Sequence, residues 1–327
     1  MKKLKRILLF LVATVFVLLA GVLLYIKVML PNVGPAPVFT VERTAERVAR
    51  GEYLANHVAV CIDCHSKRDW SRFSGPPTDG TYGMGGDIFD QKFGFPGVYY
   101  AKNITPSGIS RYTDGELFRV ITTGVNKEGE AMFPVMPFHY YGQMDEEDIK
   151  SIIAYIRTLK PIENVTPKSS SDFPMNFILN TIPHKGNPMK VPAKSDVVSY
   201  GKYLTNASSC IECHTKVDKG ALIPGTEFGG GREFPFPDGS IVRSGNISSD
   251  KETGLGKWKK ETFVALFHAH SDSTTLHTTL KPGDFNSIMP WTMYGKMTTE
   301  DLEAIFAYLQ TVPAVNNKVD KFSPAKK

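Results

Sequence analysis

The sequence predicts an all-α fold: two small tandem domains that follow an N-terminal transmembrane helix. Three observations lead to this prediction. The chain of 327 residues begins with a long uncharged apolar segment, and its second half repeats the landmarks of its first half in the same order. Each repeat also begins and ends with apolar residues at helical spacing.

The N-terminal segment has the pattern of a membrane anchor. From Ile7 to Ile26 the chain carries no charged residue, which is long enough for a helix to cross a bilayer. The basic residues before this stretch keep the N-terminus in the cytoplasm. A cleaved signal peptide is the alternative, but it has a shorter apolar core and a small-residue cleavage site. We therefore expect a single-pass protein of the cytoplasmic (inner) membrane, with soluble domains on the periplasmic, extracytoplasmic side.

The net charge of +5 does not indicate a nucleic-acid partner. The first 30 residues contain no acidic residue, and their basic residues are Lys2, Lys3, Lys5, Arg6 and Lys27. These five account for the whole net charge, so the rest of the chain is formally neutral. A nucleic-acid-binding domain would instead cluster its basic residues on a folded surface. We expect no nucleic-acid partner.

The two halves of the chain repeat each other. The segment GEYLANHVAVCIDCHSK at 51–67 corresponds to GKYLTNASSCIECHTK at 201–216. In the same way, VMPFHYYGQMDEEDIKSIIAYIRTL at 135–159 corresponds to IMPWTMYGKMTTEDLEAIFAYLQTV at 288–312. The order of landmarks is constant while loop lengths vary, which indicates two homologous domains.

The landmarks also set the expected domain boundaries. We expect a basic tail and anchor at 1–32, a first domain at 36–162, a linker at 163–194, a second domain at 195–318 and a tail at 319–327. The linker is rich in proline and serine, as connecting segments are. It also contains apolar residues, among them Phe173, Phe177 and Ile178, so we expect part of it to dock on a domain.

Each repeat opens and closes with a predicted helix. Gly51 and Gly201 fall inside the opening helices, where glycine costs about 1 kcal/mol relative to alanine. A close approach by another helix would explain a glycine at this position. The candidates are the closing helices, around Tyr155 and Tyr308.

All four cysteines occur in two copies of the pattern C-x-x-C-H, which read CIDCH at 61–65 and CIECH at 210–214. This pattern is the covalent attachment signature of haem c: two thiols on one helical turn bind the vinyl groups, and the histidine binds the iron. A zinc site would give each domain only half of its ligands, and a dithiol oxidoreductase would have a βαβ context and no need of the histidine. A structural disulfide is the remaining alternative. We predict two covalently bound haem c groups, held by Cys61, Cys64, His65, Cys210, Cys213 and His214.

With these motifs the sequence resembles the class I cytochromes c. The resemblance rests on the GEYL or GKYL helix, the C-x-x-C-H pattern, a Met-Pro loop and the closing AYI or AYL helix, and it covers residues 40–315. The stretch NISSDKETGLGKWKKETFVALF at 246–267 is similar to one typical of the membrane-anchored cytochrome c subunits of alcohol and gluconate dehydrogenases. Those subunits usually carry three haem motifs, whereas this chain has two. The resemblance implies two class I cytochrome c domains and a role in electron transfer.

A Met-Pro pair in each repeat marks the candidate sixth iron ligand. Met136 lies 71 positions after His65, and Met289 lies 75 positions after His214. The proline stiffens the loop and disfavours helix at the residue before it. Class I cytochromes complete the iron with a methionine sulfur. We predict Met136 and Met289 as metal ligands; for the second haem the alternative is one of the histidines in 268–277, which are His268, His270 and His277.

Other repeated or polar residues near these loops have less specific patterns. His139 aligns with Thr292, so the shared architecture does not require it as a ligand. Met144 and its counterpart directly precede a helix N-cap, which is typical of a hydrophobic staple. Asn103 and Asn246 recur as well, and a haem propionate or the following turn are both open as their partner.

These patterns favour an electron carrier with no catalytic residue of its own. We expect a membrane-anchored di-haem cytochrome c that takes electrons from a dehydrogenase or quinol-linked donor and passes them to a soluble cytochrome or terminal oxidase. The alternative is a di-haem peroxidase-like enzyme with one haem open to substrate, which only the extra histidines at 268–277 favour. A haem subunit of a haem-copper oxidase is a third interpretation. The repeated Met-Pro loop favours the carrier, because it would cap both irons.

Overall fold

The computed structural model describes residues 2–271, 278–281 and 283–325. Within these residues a long N-terminal helix precedes a body of short helices and long loops. The α-helices are, in chain order, α1 (Lys2–Met29), α2 (Ala45–Tyr53), α3 (Cys61–Cys64), α4 (Pro106–Ile109), α5 (Asp114–Thr123), α6 (Phe138–Tyr141), α7 (Glu146–Ile156), α8 (Met175–Ile178), α9 (Val197–Ala207), α10 (Cys210–Cys213), α11 (Lys260–His268), α12 (Trp291–Tyr294) and α13 (Thr299–Leu309). A π-helical segment spans Leu54–Val58, and 3₁₀ turns span Gln91–Phe93 and Leu179–Thr181.

Short antiparallel strands accompany the helices. They are β1 (Ile88–Phe89), β2 (Gly97–Tyr100), β3 (Ser170–Ser171), β4 (Val217–Asp218), β5 (Ala221–Leu222), β6 (Glu233–Pro235), β7 (Ile241–Arg243) and β8 (Phe322–Ser323). They pair in the orders β1-β2-β3, β4-β5 and β6-β7-β8. The prediction of an all-α fold is therefore confirmed only in its coarser form, as helices behind an apolar N-terminal helix. Strands of two to four residues are too short to leave a periodic signal in the sequence.

The N-terminal helix α1 touches the rest of the protein only near its C-terminal end, among the described residues. It has 28 residues and no buried side chain. At 1.5 Å per residue its length exceeds the hydrocarbon thickness of a bilayer, and its composition is apolar enough to cross one.

The opening and closing helices of each half cross at a glycine. A Cβ atom added to Gly51 would lie 1.8 Å from the carbonyl oxygen of Ser151 in α7. A Cβ added to Gly201 would lie 1.8 Å from the carbonyl oxygen of Ala304 in α13. These distances are far below any van der Waals contact, so the predicted close approach of the closing helices is confirmed.

A π-helical turn absorbs one extra residue in the first half. The tyrosine of the opening helix precedes the first cysteine by eight positions at Tyr53 and by seven at Tyr203. In the first half the π-helical segment Leu54–Val58 follows α2, whereas α9 remains α-helical throughout the corresponding stretch. Because a π turn holds an additional residue, both C-x-x-C-H motifs follow their opening helices in the same way.

The two halves contact each other through a reciprocal pair of tyrosines. Tyr53 donates a hydrogen bond of 2.6 Å to Asp301, and Tyr203 donates one of 2.6 Å to Asp148. Each phenol oxygen also accepts a hydrogen bond from the N-cap residue of the helix that contains its aspartate. The backbone N–H of Thr298 donates to Tyr53 at 3.1 Å, and that of Asp145 donates to Tyr203 at 3.2 Å. Tyr53 corresponds to Tyr203 and Asp148 to Asp301, so these contacts relate the two halves by an approximate twofold axis.

The two aspartates at this interface are almost fully buried and each has a second partner. Arg50 binds Asp148 through two hydrogen bonds of 2.9 and 2.8 Å, and the corresponding Tyr200 donates one of 3.0 Å to Asp301. A buried carboxylate is tolerated only when such partners replace its water. Burial, followed by the adjacent Asp148, raises the pKa of Tyr203, so its phenol remains a donor.

We expect Gly201→Ala to lower the free energy of unfolding by about 1 to 3 kcal/mol, because the new Cβ overlaps the Ala304 carbonyl and forces the helices apart. The expectation runs against helix propensity, which by itself favours alanine by about 1 kcal/mol. Chemical denaturation followed by circular dichroism measures the change. Lys202→Ala, at an exposed position of the same helix, is the matched control. Equal stability of the two variants would show that the helices do not approach this closely.

Candidate functional site

The two C-x-x-C-H motifs form equivalent one-turn helices. These are α3 and α10, and each is preceded by a residue in the left-handed region, Val60 with φ 45° and Ser209 with φ 48°. A β-branched valine at positive φ is a conformational outlier. The same left-handed conformation occurs directly before the motif in both halves. Local backbone strain of this kind concentrates at functional sites.

The four cysteines are free thiols, and the two thiols of each motif stand on one turn. Burial raises the pKa of Cys61 and Cys210 to about 12, so these thiols are protonated. Among residues 2–271, 278–281 and 283–325, no three His, Cys, Asp or Glu side chains are grouped to hold a metal. The two cysteine pairs are thus not combined into a tetrahedral zinc site, which needs four ligands together.

A backbone carbonyl orients the histidine of each motif. His65 Nδ1 lies 2.6 Å from the carbonyl oxygen of Lys102, and His214 Nδ1 lies 2.7 Å from that of Gly245. Because a carbonyl only accepts, Nδ1 must carry the proton, and Nε2 keeps its lone pair. Burial lowers the pKa of both imidazoles, which keeps Nε2 unprotonated. This tautomer and this hydrogen bond are typical of a histidine that binds a metal.

The repeated asparagines hold these carbonyls in place. Asn103 directly follows Lys102, and its Oδ1 accepts from the N–H and hydroxyl of Thr105 at 2.9 and 2.7 Å. Its amide donates at 2.8 Å to the carbonyl of Ile162, beyond the closing helix. Asn246 makes the same contacts, to Ser248 and to a carbonyl after α13. The sequence left two partners open for these asparagines, a haem propionate or the following turn. In the structure their side chains bond to the following turn.

The Met-Pro pairs form equivalent tight turns. Pro137 and Pro290 have φ, ψ of −79°, 57° and −77°, 65°, the values of an inverse γ-turn. In each turn the carbonyl of the methionine accepts the N–H two residues later, at 2.7 and 2.8 Å. Met136 and Met289 are half-buried and pack at the edge of the apolar core, as do the first cysteines of the two motifs. The turn therefore fixes the backbone of each methionine at the edge of the core.

Two neighbours of the first Met-Pro turn have other partners. His139 stacks on His184 near the surface, with ring centroids 4.9 Å apart and Nδ1 3.0 Å from His184 Nε2. Met144 and Met297 are 1% and 2% exposed and directly precede the closing helices. Their burial there fits the predicted hydrophobic staples.

The histidines at the end of α11 and after it differ from one another. His268 contacts the carbonyl of Gly295 through Nδ1 at 2.9 Å and the hydroxyl of Thr299 through Nε2 at 3.3 Å, so protein groups engage both ring nitrogens. The ring of His270 packs against Trp291 at a tilt of 41°, with ring centroids 4.7 Å apart. His277 lies outside the described residues.

First-half side chains reach the second motif across the interface. Tyr140, which follows the first Met-Pro pair, donates at 2.7 Å to Glu212, inside the second motif. The segment after the first Met-Pro pair therefore contacts the second motif directly.

The sequence does not mark the groups that orient His65 and His214. The two partners of the rings are backbone carbonyls, which no residue type marks. Only the recurrence of the asparagine in both halves hinted that this segment matters.

Several proteins that are similar to this chain are named cytochromes. No protein-family model matches the chain. It is 28% identical over 303 residues to the fructose dehydrogenase cytochrome subunit of Gluconobacter japonicus, covering 86% of this chain and 56% of the relative. It is 26% identical over 283 residues to the alcohol dehydrogenase (quinone) cytochrome c subunit of Gluconobacter oxydans, covering 82% and 55%. A diheme cytochrome c-type protein of Cereibacter sphaeroides is 24% identical over 265 residues, covering 78% and 82%.

These findings confirm the resemblance to the cytochrome c subunits of dehydrogenases that the motifs predicted. The chain spans about half of the length of the two dehydrogenase subunits, at 56% and 55%.

Proposed function

We propose that this protein is a membrane-anchored di-haem cytochrome c. It carries electrons from a dehydrogenase or quinol-linked donor to a downstream cytochrome or terminal oxidase. The observation that carries the proposal is the orientation of His65 and His214, which both engage Nδ1 with a carbonyl and so keep Nε2 able to bind iron. The relatives named cytochrome c subunits support electron transfer, and the diheme relative supports two haems.

Each motif would hold one haem. Cys61, Cys64 and His65 would hold the first, and Cys210, Cys213 and His214 the second. The bound group supplies a reversible one-electron change at its iron. For each haem the chain would contribute two cysteine sulfurs on one turn, a histidine with Nε2 able to bind iron and a rigid turn that carries a methionine.

Met136 and Met289 are the proposed sixth ligands. The matching inverse γ-turns support the assignment in both halves, because they fix two equivalent backbones. For the second haem, His268 is the weaker candidate, since a carbonyl and a hydroxyl engage its ring nitrogens. A methionine sulfur at the sixth position closes the iron to substrates and raises its reduction potential, as a carrier requires.

We propose two class I cytochrome c domains, at 36–162 and 195–318, joined by the linker at 163–194. Each half has a helix crossing at a glycine, a motif helix, an asparagine turn and a Met-Pro turn in the same order. Helix α1 would anchor the protein in the cytoplasmic membrane, with both domains on the periplasmic side. The basic residues before the apolar stretch support this orientation.

The purified chain should contain two haem c groups per polypeptide, measured by pyridine haemochrome absorbance against protein mass.

Met136→Ala and Met289→Ala should each remove about half of the far-red methionine–iron charge-transfer band and lower the reduction potential of one haem. Met144→Leu, which changes a buried methionine away from the iron, is the control and should leave the band intact. If only Met136→Ala weakens the band, a histidine from 268–277 is the sixth ligand of the second haem.

The carrier and the peroxidase-like enzyme differ in the access that small molecules have to the iron. We expect the reduced protein to bind carbon monoxide slowly or not at all and to turn over no peroxide, because Met136 and Met289 would cap both irons. It should accept electrons from a quinol or a quinone-linked dehydrogenase, measured by stopped-flow absorbance. Rapid carbon monoxide binding at one haem, together with peroxide turnover, would instead establish the enzyme.

A further inference from the structure

The linker carries apolar side chains that the described part of the protein leaves exposed. Phe173 is 83% exposed and Ile178, at the end of α8, is 43% exposed. The linker does dock on the first half, through β3 paired with β2. The docking expected for part of the linker therefore occurs at β3, and the exposed Phe173 and Ile178 lie outside that strand pair.

Ile178 belongs to a segment that lies beside the end of α1, and the ring of Phe173 packs edge-on against Phe177 of the same segment. Asn180 donates a hydrogen bond of 3.3 Å to the carbonyl of Ile26, and α8 and the following 3₁₀ turn contact α1. Ile26 is the last residue of the uncharged stretch, and Lys27 is the first charge after it. In a helix that crosses a bilayer, this point is where the hydrocarbon meets the lipid head groups.

We propose that residues 173–182 lie in the head-group region of the lipid bilayer and form a second membrane contact besides α1. The inference rests on the membrane anchoring proposed above for α1. Lipid is the occupant because α1 would enter the bilayer at the same place that the linker contacts. Aromatic and aliphatic side chains at this depth are typical of interfacial segments. The contact would hold the soluble body at a fixed height and orientation above the membrane.

The test uses the full chain in liposomes of phosphatidylethanolamine and phosphatidylglycerol, with a spin label on a single introduced cysteine. Labels at Phe173→Cys and Ile178→Cys should collide more often with oxygen, which enters lipid, than with a water-soluble nickel chelate. Val165→Cys is the matched control, because Val165 is 95% exposed in the same linker and should show the opposite ratio. A nickel-rich ratio at 173 and 178, equal to that at 165, would overturn the inference.

A label in the middle of α1, at Leu18→Cys, separates this inference from the anchor itself. If Leu18 is oxygen-rich while 173 and 178 are nickel-rich, α1 spans the bilayer and only the linker contact is wrong. If Leu18 is also nickel-rich, the anchor and the linker contact are both refuted. The unsubstituted chain should take up no label, because its four cysteines would be haem thioethers.

A serine of the first half, Ser74, contacts the second Met-Pro turn. Ser74 donates a hydrogen bond of 2.6 Å to the carbonyl of Met289 and accepts the N–H of Trp291 at 3.0 Å. Its own N–H donates to the side chain of Asn286 at 2.9 Å. Ser74 is fully buried and has φ 67°, so its position is strongly constrained.

The first Met-Pro turn has only part of this arrangement. It has the same internal hydrogen bond, from Phe138 N–H to the carbonyl of Met136 at 2.7 Å. In the described ranges no serine from the second half is hydrogen-bonded to it. The two turns therefore have the same geometry but different support.

We infer that Ser74 is a positioning residue for Met289. It fixes the backbone of the turn that would carry the sixth ligand of the second haem, so docking of the first half controls ligation in the second. This inference rests on the proposed ligation by Met289. Replacement of Ser74 by alanine removes the hydroxyl from two hydrogen bonds and leaves two backbone groups without this partner.

We expect Ser74→Ala to weaken the methionine–iron band of the second haem, lower the potential of that haem alone and speed its carbon monoxide binding at least tenfold. Ser71→Ala is the matched control, because its hydroxyl bonds only to Asp69 within the same loop. If Met289→Ala changes the second haem and Ser74→Ala does not, Ser74 has no positioning role. If Met289→Ala has no effect, the ligand assignment fails, and this inference fails with it. A merely structural role would lower stability without changing one potential selectively.

Discussion

The opening and closing helices of each half approach so closely that only glycine fits between them, and the rest of the structure depends on this contact. With Gly51 and Gly201 against backbone carbonyls, the helix axes are held at a fixed distance. The tyrosine two residues later then reaches the other half, where Tyr53 and Tyr203 contact the first turns of the closing helices. One crossing thus sets both the core of each half and the interface between halves.

A chain of backbone contacts connects this framework to the candidate iron ligands. In each half an asparagine donates a hydrogen bond to the segment after the closing helix. The residue directly before this asparagine supplies the carbonyl that orients the motif histidine. On the other side, the Met-Pro turn leads directly into the short helix before the closing helix. Both proposed axial ligands are therefore held by elements that the closing helix positions.

The two halves are repeats that have diverged where they support each other. Arg50 binds its aspartate where the second half uses Tyr200, and a π-helical turn is present only in the first half among the described residues. Ser74 supports the second Met-Pro turn, and no serine among the described residues of the second half supports the first turn in the same way. Such differences make the halves unequal in environment, and iron potentials respond to hydrogen bonding and burial around the ligands. Similar sequences can therefore yield two centres with distinct properties.

The sequence by itself determined the features that are local or repeated. The helices, the glycine crossings, the staple methionines and the two cysteine motifs follow from spacing along the chain, and repetition separated the Met-Pro pair from the incidental His139. The tertiary structure alone decided which groups touch over long distances. The partners of His65 and His214 are backbone carbonyls, which carry no residue signature, and the tyrosine–aspartate pairs join positions 55 and 248 residues apart. The sequence shows that the linker contains apolar residues. Only the structure shows that the linker contacts the end of α1. The hydrophobic effect favours burial of apolar side chains but does not specify which surface buries them.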